Sequence, residues 1–105
     1  MQSLTPVELK ERLASGVPLV LLDVREPWEF DQGHIAGSLH IPMARISQAL
    51  VDLQRDADTV VLCHHGMRSQ QVASYLERAG FTRVANLDGG LDAWSQTVDP
   101  SLSRY

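Results

Sequence analysis

Short apolar runs alternate with amphipathic stretches along this chain of 105 residues. Two of the runs, residues 19–24 and 59–63, show too little polar alternation for a sheet with one face in water, and they indicate strands buried on both faces. Weaker strand patterns cover residues 38–41 and 82–87. Strands buried on both faces are typical of a parallel sheet, because the crossover helices of such a sheet cover it on either side.

The amphipathic stretches between these runs predict helices. The first has the clearest start, because Thr5 can cap it, Pro6 suits its first position and Glu8 can close a capping box. The predicted helices cover residues 6–14, 44–54, 69–79 and 90–95, and one helical turn is expected in the loop of residues 25–37. The pattern therefore predicts an α/β fold: an open, doubly wound, mostly parallel sheet of about five strands with helices on both faces.

Composition narrows the class of protein. Hydrophobic residues make up 44% of the chain and charged residues 21%, as in a folded globular domain, and we expect one domain over residues 1–105 with a loose tail at 99–105. Nine basic residues against thirteen acidic ones give a net charge of −4, which argues against a nucleic-acid partner. The sequence shows neither a membrane-spanning apolar stretch nor an export signal, so we expect no membrane partner and a cytoplasmic location.

The chain has one cysteine, Cys63, at the carboxyl end of a predicted buried strand. Ligands of open α/β sheets bind at this edge. A turn and a helix follow, so backbone N–H groups and the helix N-terminus can surround the sulfur and stabilise an anion, while Gly66 permits the turn. Arg68 adds a positive charge and a planar fork suited to an oxyanion. A cysteine alone at a strand end is as often a small buried hydrophobe, but the residues that follow it favour a functional site.

Three segments in order along the chain carry a resemblance to the rhodanese family, the thiosulfate sulfurtransferases. Residues 63–69, CHHGMRS, resemble the active-site loop of that family, residues 23–38 resemble its N-terminal signature, and residues 87–94 resemble its C-terminal one. The resemblance runs from about residue 4 to residue 98. It implies a sulfurtransferase in which Cys63 takes up a sulfane sulfur as a persulfide and passes it to a nucleophilic acceptor, such as cyanide, a thiol or a sulfur-carrier protein.

The resemblance also implies roles within the loop. Cys63 would be the nucleophile. The substrate-binding cradle would be the backbone of the residues that follow it: His64, His65, Gly66, Met67 and Arg68. Small sulfur donors such as thiosulfate are the implied substrates, and a sulfur-donor or sulfur-acceptor protein is a further implied partner. We expect no cofactor and no metal, because the histidines and the cysteine lack the usual two-arm spacing of a metal site.

Loop length separates sulfur transfer from a rival chemistry. The relatives of this family among cell-cycle phosphatases, and arsenate reductases of similar fold, carry one more residue between cysteine and arginine, which makes room for a tetrahedral phosphate or arsenate. Here four residues separate Cys63 from Arg68. This count favours a persulfide, and a phosphatase- or arsenate-reductase-like enzyme remains the alternative. An inactive recognition domain is a further rival, against which the presence of the cysteine counts.

Other polar residues near these motifs have structural interpretations. We expect Arg25 to pair with a carboxylate such as Asp23 or Glu29 rather than to bind an anionic donor. We expect the side chains of His64 and His65 to point away from the sulfur, because a curled loop directs its backbone inward.

Overall fold

The computed structural model describes residues 1–102, which form a five-stranded parallel sheet with helices on both faces. The strands are β1 (Gln2–Leu4), β2 (Val20–Asp23), β3 (Leu39–His40), β4 (Thr59–Leu62) and β5 (Val84–Leu87). The helices are α1 (Pro6–Ser15), α2 (Pro27–Gln32), α3 (Ile46–Ala49), α4 (Met67–Arg78) and α5 (Gly90–Thr97). The strand order is β1-β5-β4-β2-β3, and all neighbouring strands are parallel. The fold class predicted from the sequence is confirmed.

Two apolar clusters, one on each face, bury the sheet. Successive side chains of a strand point to opposite faces, and in β4 this alternation divides the apolar residues between the two clusters. Val60 and Leu62 pack with residues of α1 and α5, whereas Val61 packs with residues of α3 and α4. Cys63, which follows β4, lies in the second cluster. The nucleophile candidate is therefore held by the core immediately after a fully buried strand.

Helix α1 shows how local sequence signals set an element's bounds. The Thr5 hydroxyl accepts a hydrogen bond from the Glu8 N–H at 3.2 Å, and the Glu8 carboxylate accepts one from the Thr5 N–H at 2.9 Å. Pro6 occupies the first turn, and Gly16 ends the helix with a φ of +76°. The predicted capping box is confirmed, and the helix ends one residue later than predicted.

The largest differences from prediction lie at β1 and at residues 44–54. Strand β1 was not predicted, because only Leu4 of its three residues is buried and its partner strand β5 lies at the other end of the sequence. The helix predicted over residues 44–54 is instead a 3₁₀ turn at Met43–Arg45, the short α3, and a second 3₁₀ turn at Leu50–Asp52. None of these three segments has a side-chain cap, and Ile46 is their one buried residue, so a longer helix lacks both local and tertiary support.

Helix α4 begins two residues before its predicted start. Gly66 is its N-cap and adopts a φ of +101°, a left-handed conformation that side-chain-bearing residues rarely take. Arg68 and Ser69 therefore lie in the first turn of α4 rather than in the preceding loop. The backbone N–H groups of a first turn have no partner within the helix, so they are available to the sulfur.

The described end of the chain folds back onto the domain. The Leu102 N–H donates to the Asp99 carbonyl at 3.1 Å, and Leu102 packs against the cluster formed with α1 and α5. The remainder of the predicted loose tail, residues 103–105, lies outside the described residues. Among residues 1–102, every helix falls short of the length and apolar character that a membrane span requires.

Candidate active site

The sulfur of Cys63 lies at the carboxyl end of β4, inside the turn that leads into α4. Two backbone N–H groups point at Cys63 Sγ, that of Gly66 at 3.1 Å and that of Ser69 at 3.4 Å. The Ser69 hydroxyl oxygen also lies 3.4 Å from the sulfur. Such convergent N–H groups at a helix N-terminus stabilise a negative charge. Of the residues predicted to form the cradle, Gly66 brings its backbone N–H to the sulfur, and the second N–H comes from Ser69, which directly follows that segment.

The loop carbonyl groups are turned away from the sulfur by hydrogen bonds to neighbouring elements. The Cys63 carbonyl accepts from the Leu91 N–H at 2.8 Å, and the His64 carbonyl accepts from the Asp92 N–H at 3.0 Å. Both donors belong to the first turn of α5. Because α5 binds these carbonyl oxygens, the negative ends of the loop peptides face away from the sulfur, and a charge on the sulfur meets less repulsion.

Close approach between the loop and α5 requires glycine at residue 90. A Cβ atom built on Gly90 would lie 2.4 Å from the Cys63 carbonyl oxygen and 2.5 Å from that of His64. Gly90 also has a positive φ of +60°. The glycine pair at residues 89–90, which the sequence identified only as a turn, therefore sets the distance at which α5 supports the active-site loop.

The guanidinium of Arg68 forms a bidentate ion pair with Glu29. Its Nη1 and Nη2 atoms lie 2.7 and 2.8 Å from the two carboxylate oxygens. The Glu29 side chain is 6% exposed and that of Arg68 is 35% exposed. Hydrogen bonding to Arg68 lowers the pKa of Glu29 below its usual value. The same bond raises the pKa of Arg68, with a smaller contribution from Cys63, so the guanidinium also lies within electrostatic reach of the sulfur.

A second arginine holds the segment that carries Glu29. Arg25 is fully buried and pairs with Asp23, with Nη2 at 2.8 Å from the Asp23 Oδ2. Its guanidinium also donates to the carbonyl oxygens of Glu29 at 3.1 Å and Gly33 at 2.9 Å. Arg25 therefore binds the backbone of α2 and that of Gly33, which ends the helix, and the prediction that it pairs structurally with a carboxylate is confirmed.

The outer side of the loop carries exposed side chains. His65 is exposed, and its Nε2 lies 3.7 Å from a carboxylate oxygen of Asp92. The ring of His64 is half-buried and lies 3.9 Å from that of His65. Met67 is 73% exposed, and Trp28, which precedes Glu29 on α2, is 58% exposed. The rim around the loop thus presents both imidazole and apolar surface to an incoming molecule.

Replacing Glu29 by glutamine should lower the free energy of unfolding by about 1–2 kcal/mol at neutral pH, because Arg68 loses its charged partner. The pKa of Glu29 is lowered in the folded chain, so the ion pair contributes fully above the usual glutamate pKa of 4.5. Its contribution is lost as the pH falls through the lowered folded-state pKa. Urea unfolding of the native chain and the variant, from neutral pH downward, measures this difference.

The difference in unfolding free energy between the native chain and Glu29→Gln should shrink as the solution is acidified. A difference that stays constant down to the acid limit of folding would show that the charge of Glu29 contributes nothing. Asp31→Asn is a matched control on the same helix, because its side chain is exposed and Arg68 is bound to Glu29 instead.

Ser69 and Asn86 contact the loop and were not among the predicted site residues. Ser69 directly follows the predicted cradle, and its hydroxyl as well as its N–H lies near the sulfur. Asn86 lies on β5 and donates from Nδ2 to the Gly66 carbonyl at 3.2 Å. The available signal was a single amide side chain within the otherwise apolar strand VANL. Its contact with the loop depends on the strand order, which the sequence did not predict.

Comparison with known proteins places this fold and loop in a family. The model of the family described as "Rhodanese-like domain" matches residues 5–97. The protein named "Probable adenylyltransferase/sulfurtransferase MoeZ" from Mycobacterium tuberculosis is 37% identical over 98% of this chain, which spans only 27% of MoeZ. Thiosulfate sulfurtransferase GlpE from Pseudomonas aeruginosa is 37% identical over 97% of this chain and 91% of its own length.

A solved structure shows the same fold. The crystal structure of a rhodanese-like domain protein from Staphylococcus aureus matches with a TM-score of 0.87 at 34% identity, covering 98% of this chain and 97% of that one. The match of sequence, fold and loop along nearly the whole chain confirms the resemblance first seen in three short segments. The chain belongs to the rhodanese-like domain family, and its relatives MoeZ and GlpE both carry the word sulfurtransferase in their names.

Proposed function

We propose that this protein accepts a sulfane sulfur from thiosulfate or a persulfide donor onto Cys63 and passes it to a nucleophilic acceptor. The observation that carries the proposal is the pair of N–H groups, from Gly66 and Ser69, aimed at the Cys63 sulfur. The thiolate carries its charge on Sγ and the persulfide carries it one atom further out, so N–H groups that converge on this turn favour both anions, the thiolate by direct contact. The name of the relative GlpE supports thiosulfate as one donor.

The proposed reaction has two half-reactions. The Cys63 thiolate attacks the outer sulfur of thiosulfate, a sulfur–sulfur bond forms, and the original sulfur–sulfur bond breaks to release sulfite. The terminal sulfur of the Cys63 persulfide is then attacked by the acceptor, and the thiolate is regenerated. With cyanide as acceptor the product is thiocyanate. This sequence is covalent catalysis with ping-pong kinetics, and neither step obliges a side chain to transfer a proton.

The residues after Cys63 have distinct proposed roles in binding the donor. The backbone of residues 64–68 forms the cradle, in which the Gly66 N–H donates to the sulfur while α5 binds the carbonyl oxygens of Cys63 and His64. Arg68 contributes positive charge near the sulfur, although both terminal nitrogens of its guanidinium are bound to Glu29. Met67 and the two histidines contribute the rim that a donor or an acceptor meets first.

Access to the sulfur favours a donor that presents a single terminal sulfur atom over a phosphate ester. Cys63 is 1% exposed, and its sulfur lies within a turn of six residues that ends at Arg68. A terminal sulfur is a single atom, whereas a phosphoryl group brings three further oxygens into the loop. The same enclosure implies that side chains at the rim, such as Met67, move when a donor enters. These dimensions support sulfur transfer and give no support to the phosphatase alternative.

Incubation of the full chain with thiosulfate should add one sulfur atom to Cys63, and cyanide should then remove it. Intact-mass spectrometry measures both steps, and peptide mapping assigns the adduct. Because the chain contains one cysteine, Cys63→Ser is a control with no thiol at all. If thiosulfate and glutathione persulfide both leave Cys63 unmodified, the proposed function is wrong. Hydrolysis of p-nitrophenyl phosphate by a chain that takes up no sulfur would support the rival chemistry instead.

A further inference from the structure

Ser69 and Asn86 form a buried polar pair beside the proposed nucleophile. The Ser69 Oγ lies 2.5 Å from Asn86 Oδ1 and 3.4 Å from Cys63 Sγ. Both side chains are buried among the core residues around the carboxyl ends of β4 and β5. A buried hydroxyl has one proton to donate, so it can satisfy either the amide oxygen or the sulfur at one time.

The direction of the Asn86 amide decides where that proton goes. Asn86 Nδ2 lies 3.2 Å from the Gly66 carbonyl oxygen, which only accepts hydrogen bonds. The NH₂ group must therefore face Gly66, and the amide oxygen must face Ser69. Because an amide oxygen also only accepts, the Ser69 hydroxyl donates to Asn86. This assignment follows from the hydrogen-bond network itself.

The Ser69 oxygen consequently turns its lone pairs towards Cys63. Lone pairs accept a proton from the thiol form of the cysteine, and they repel the thiolate. To donate to the anionic sulfur, the hydroxyl must rotate and leave the buried amide oxygen of Asn86 without its partner. The bond between Ser69 and Asn86 therefore opposes the two N–H groups that favour the anion.

We propose that Asn86 is a positioning residue that holds the Ser69 hydroxyl away from Cys63 and thereby restrains ionisation of the resting thiol. The inference rests on the proposed function, because the restrained group is the same nucleophile.

The groups that also affect the charge on Cys63 come from several elements. Arg68 on α4 lies within electrostatic reach of the sulfur and is paired with Glu29 on α2. Other titratable or charged groups around the loop include His64 and His65 on the loop itself, Asp88 after β5, Asp92 on α5, and Asp23 of β2 with its partner Arg25. The test therefore compares variants that leave all of these groups unchanged.

Two substitutions of Asn86 should shift the reactivity of Cys63 in opposite directions. Asn86→Leu removes the acceptor and frees the Ser69 hydroxyl to donate to the sulfur. The pH of half-maximal alkylation by iodoacetamide should fall by about 0.5–1 unit. Asn86→Asp keeps an acceptor for Ser69 and adds a negative charge, so the same midpoint should rise by at least a similar amount. Thermal unfolding of each variant verifies that it is folded.

Asn86→Leu and Asn86→Asp lose the same hydrogen bond. Both lack the donor to the Gly66 carbonyl, which retains its bond from the Gln70 N–H at 3.1 Å. If Asn86 acted only by holding the loop in place, both variants would shift the midpoint in the same direction, and that result would overturn the proposal. Unchanged midpoints in both variants would overturn it as well.

The Ser69→Ala background supplies a second test. Ser69→Ala has no hydroxyl for Asn86 to hold away from Cys63. Adding Asn86→Leu to this variant should therefore not lower the pH midpoint of alkylation further. A downward shift of the same size in both backgrounds would contradict the proposal. Where Asn86→Leu fails to fold, NMR of the otherwise native chain answers the same question. The side-chain amide signals of Asn86 should titrate together with Cys63, and this coupling should disappear in Ser69→Ala.

Alkylation reports on the thiol alone and requires no sulfur donor. A chain whose Cys63 takes up no sulfur could still show the predicted opposite shifts, and a sulfurtransferase could lack them. The outcome for Asn86 is therefore distinguishable from the outcome for the proposed function.

Discussion

Cys63→Ser should lower the rate of thiocyanate formation from thiosulfate and cyanide by about a thousandfold or more, because a serine hydroxyl forms no persulfide and is un-ionised at neutral pH. Serine is close to cysteine in size, so the free energy of unfolding should change by no more than about 1–2 kcal/mol. Steady-state assays with purified protein, together with urea unfolding, measure the two quantities.

His65→Gln is a control for Cys63→Ser. His65 lies on the same loop, its side chain is exposed, and its imidazole points towards Asp92 rather than the sulfur. We expect this variant to retain activity within about tenfold of the native chain, whereas Cys63→Ser loses it. Substantial turnover by Cys63→Ser would show that the sulfur of Cys63 is not the nucleophile.

Gly90→Ala should destabilise the domain by about 3–5 kcal/mol and reduce sulfur uptake at Cys63. The added methyl group would lie within 2.6 Å of backbone atoms of Cys63 and His64, and backbone atoms cannot move aside as a flexible side chain can. Overpacking and the left-handed φ both contribute to the cost. Chemical denaturation measures the loss of stability, and intact-mass spectrometry measures the uptake.

Gly16→Ala separates the cost of the left-handed backbone from the cost of overpacking. Gly16 has a similar left-handed backbone, with a φ of +76°, but a Cβ there would meet no atom within 4 Å. It should therefore cost only about 1 kcal/mol and leave sulfur uptake unchanged. Equal losses of stability at the two glycines would mean that contact between α5 and the loop contributes little.

Local signals in the sequence predicted the fold class and several elements well. The capping box of Thr5 and Glu8 is complete within four residues, so the start of α1 required no knowledge of the rest of the chain. The strands β2 and β4 are recognisable because both of their faces are apolar. The short edge strand β1 has one buried residue, and its assignment depends on pairing with β5. Such non-local pairing leaves little trace in the local pattern.

Local and non-local contacts also differ in how well the sequence predicts them within the active site. Cys63 and the cradle residues are contiguous, so one short motif predicts them together. Glu29 reaches Arg68 across 39 positions of sequence, and Asn86 reaches Ser69 across 17. These contacts exist because parallel strands bring their carboxyl ends to one edge of the sheet. Residue types alone leave the choice among several carboxylates and amides open, and the strand order decides it.

The pairing of β1 with β5 has a consequence for synthesis of the chain. Gln2 lies opposite Ala85, so one edge of the sheet is closed by residues from opposite ends of the sequence. On the ribosome, β1 stays unpaired until the residues of β5 have been synthesised and have emerged. Contacts of such long sequence separation raise the contact order and slow folding. Completion of the sheet is therefore a late event, and the nascent chain exposes an open strand edge until then.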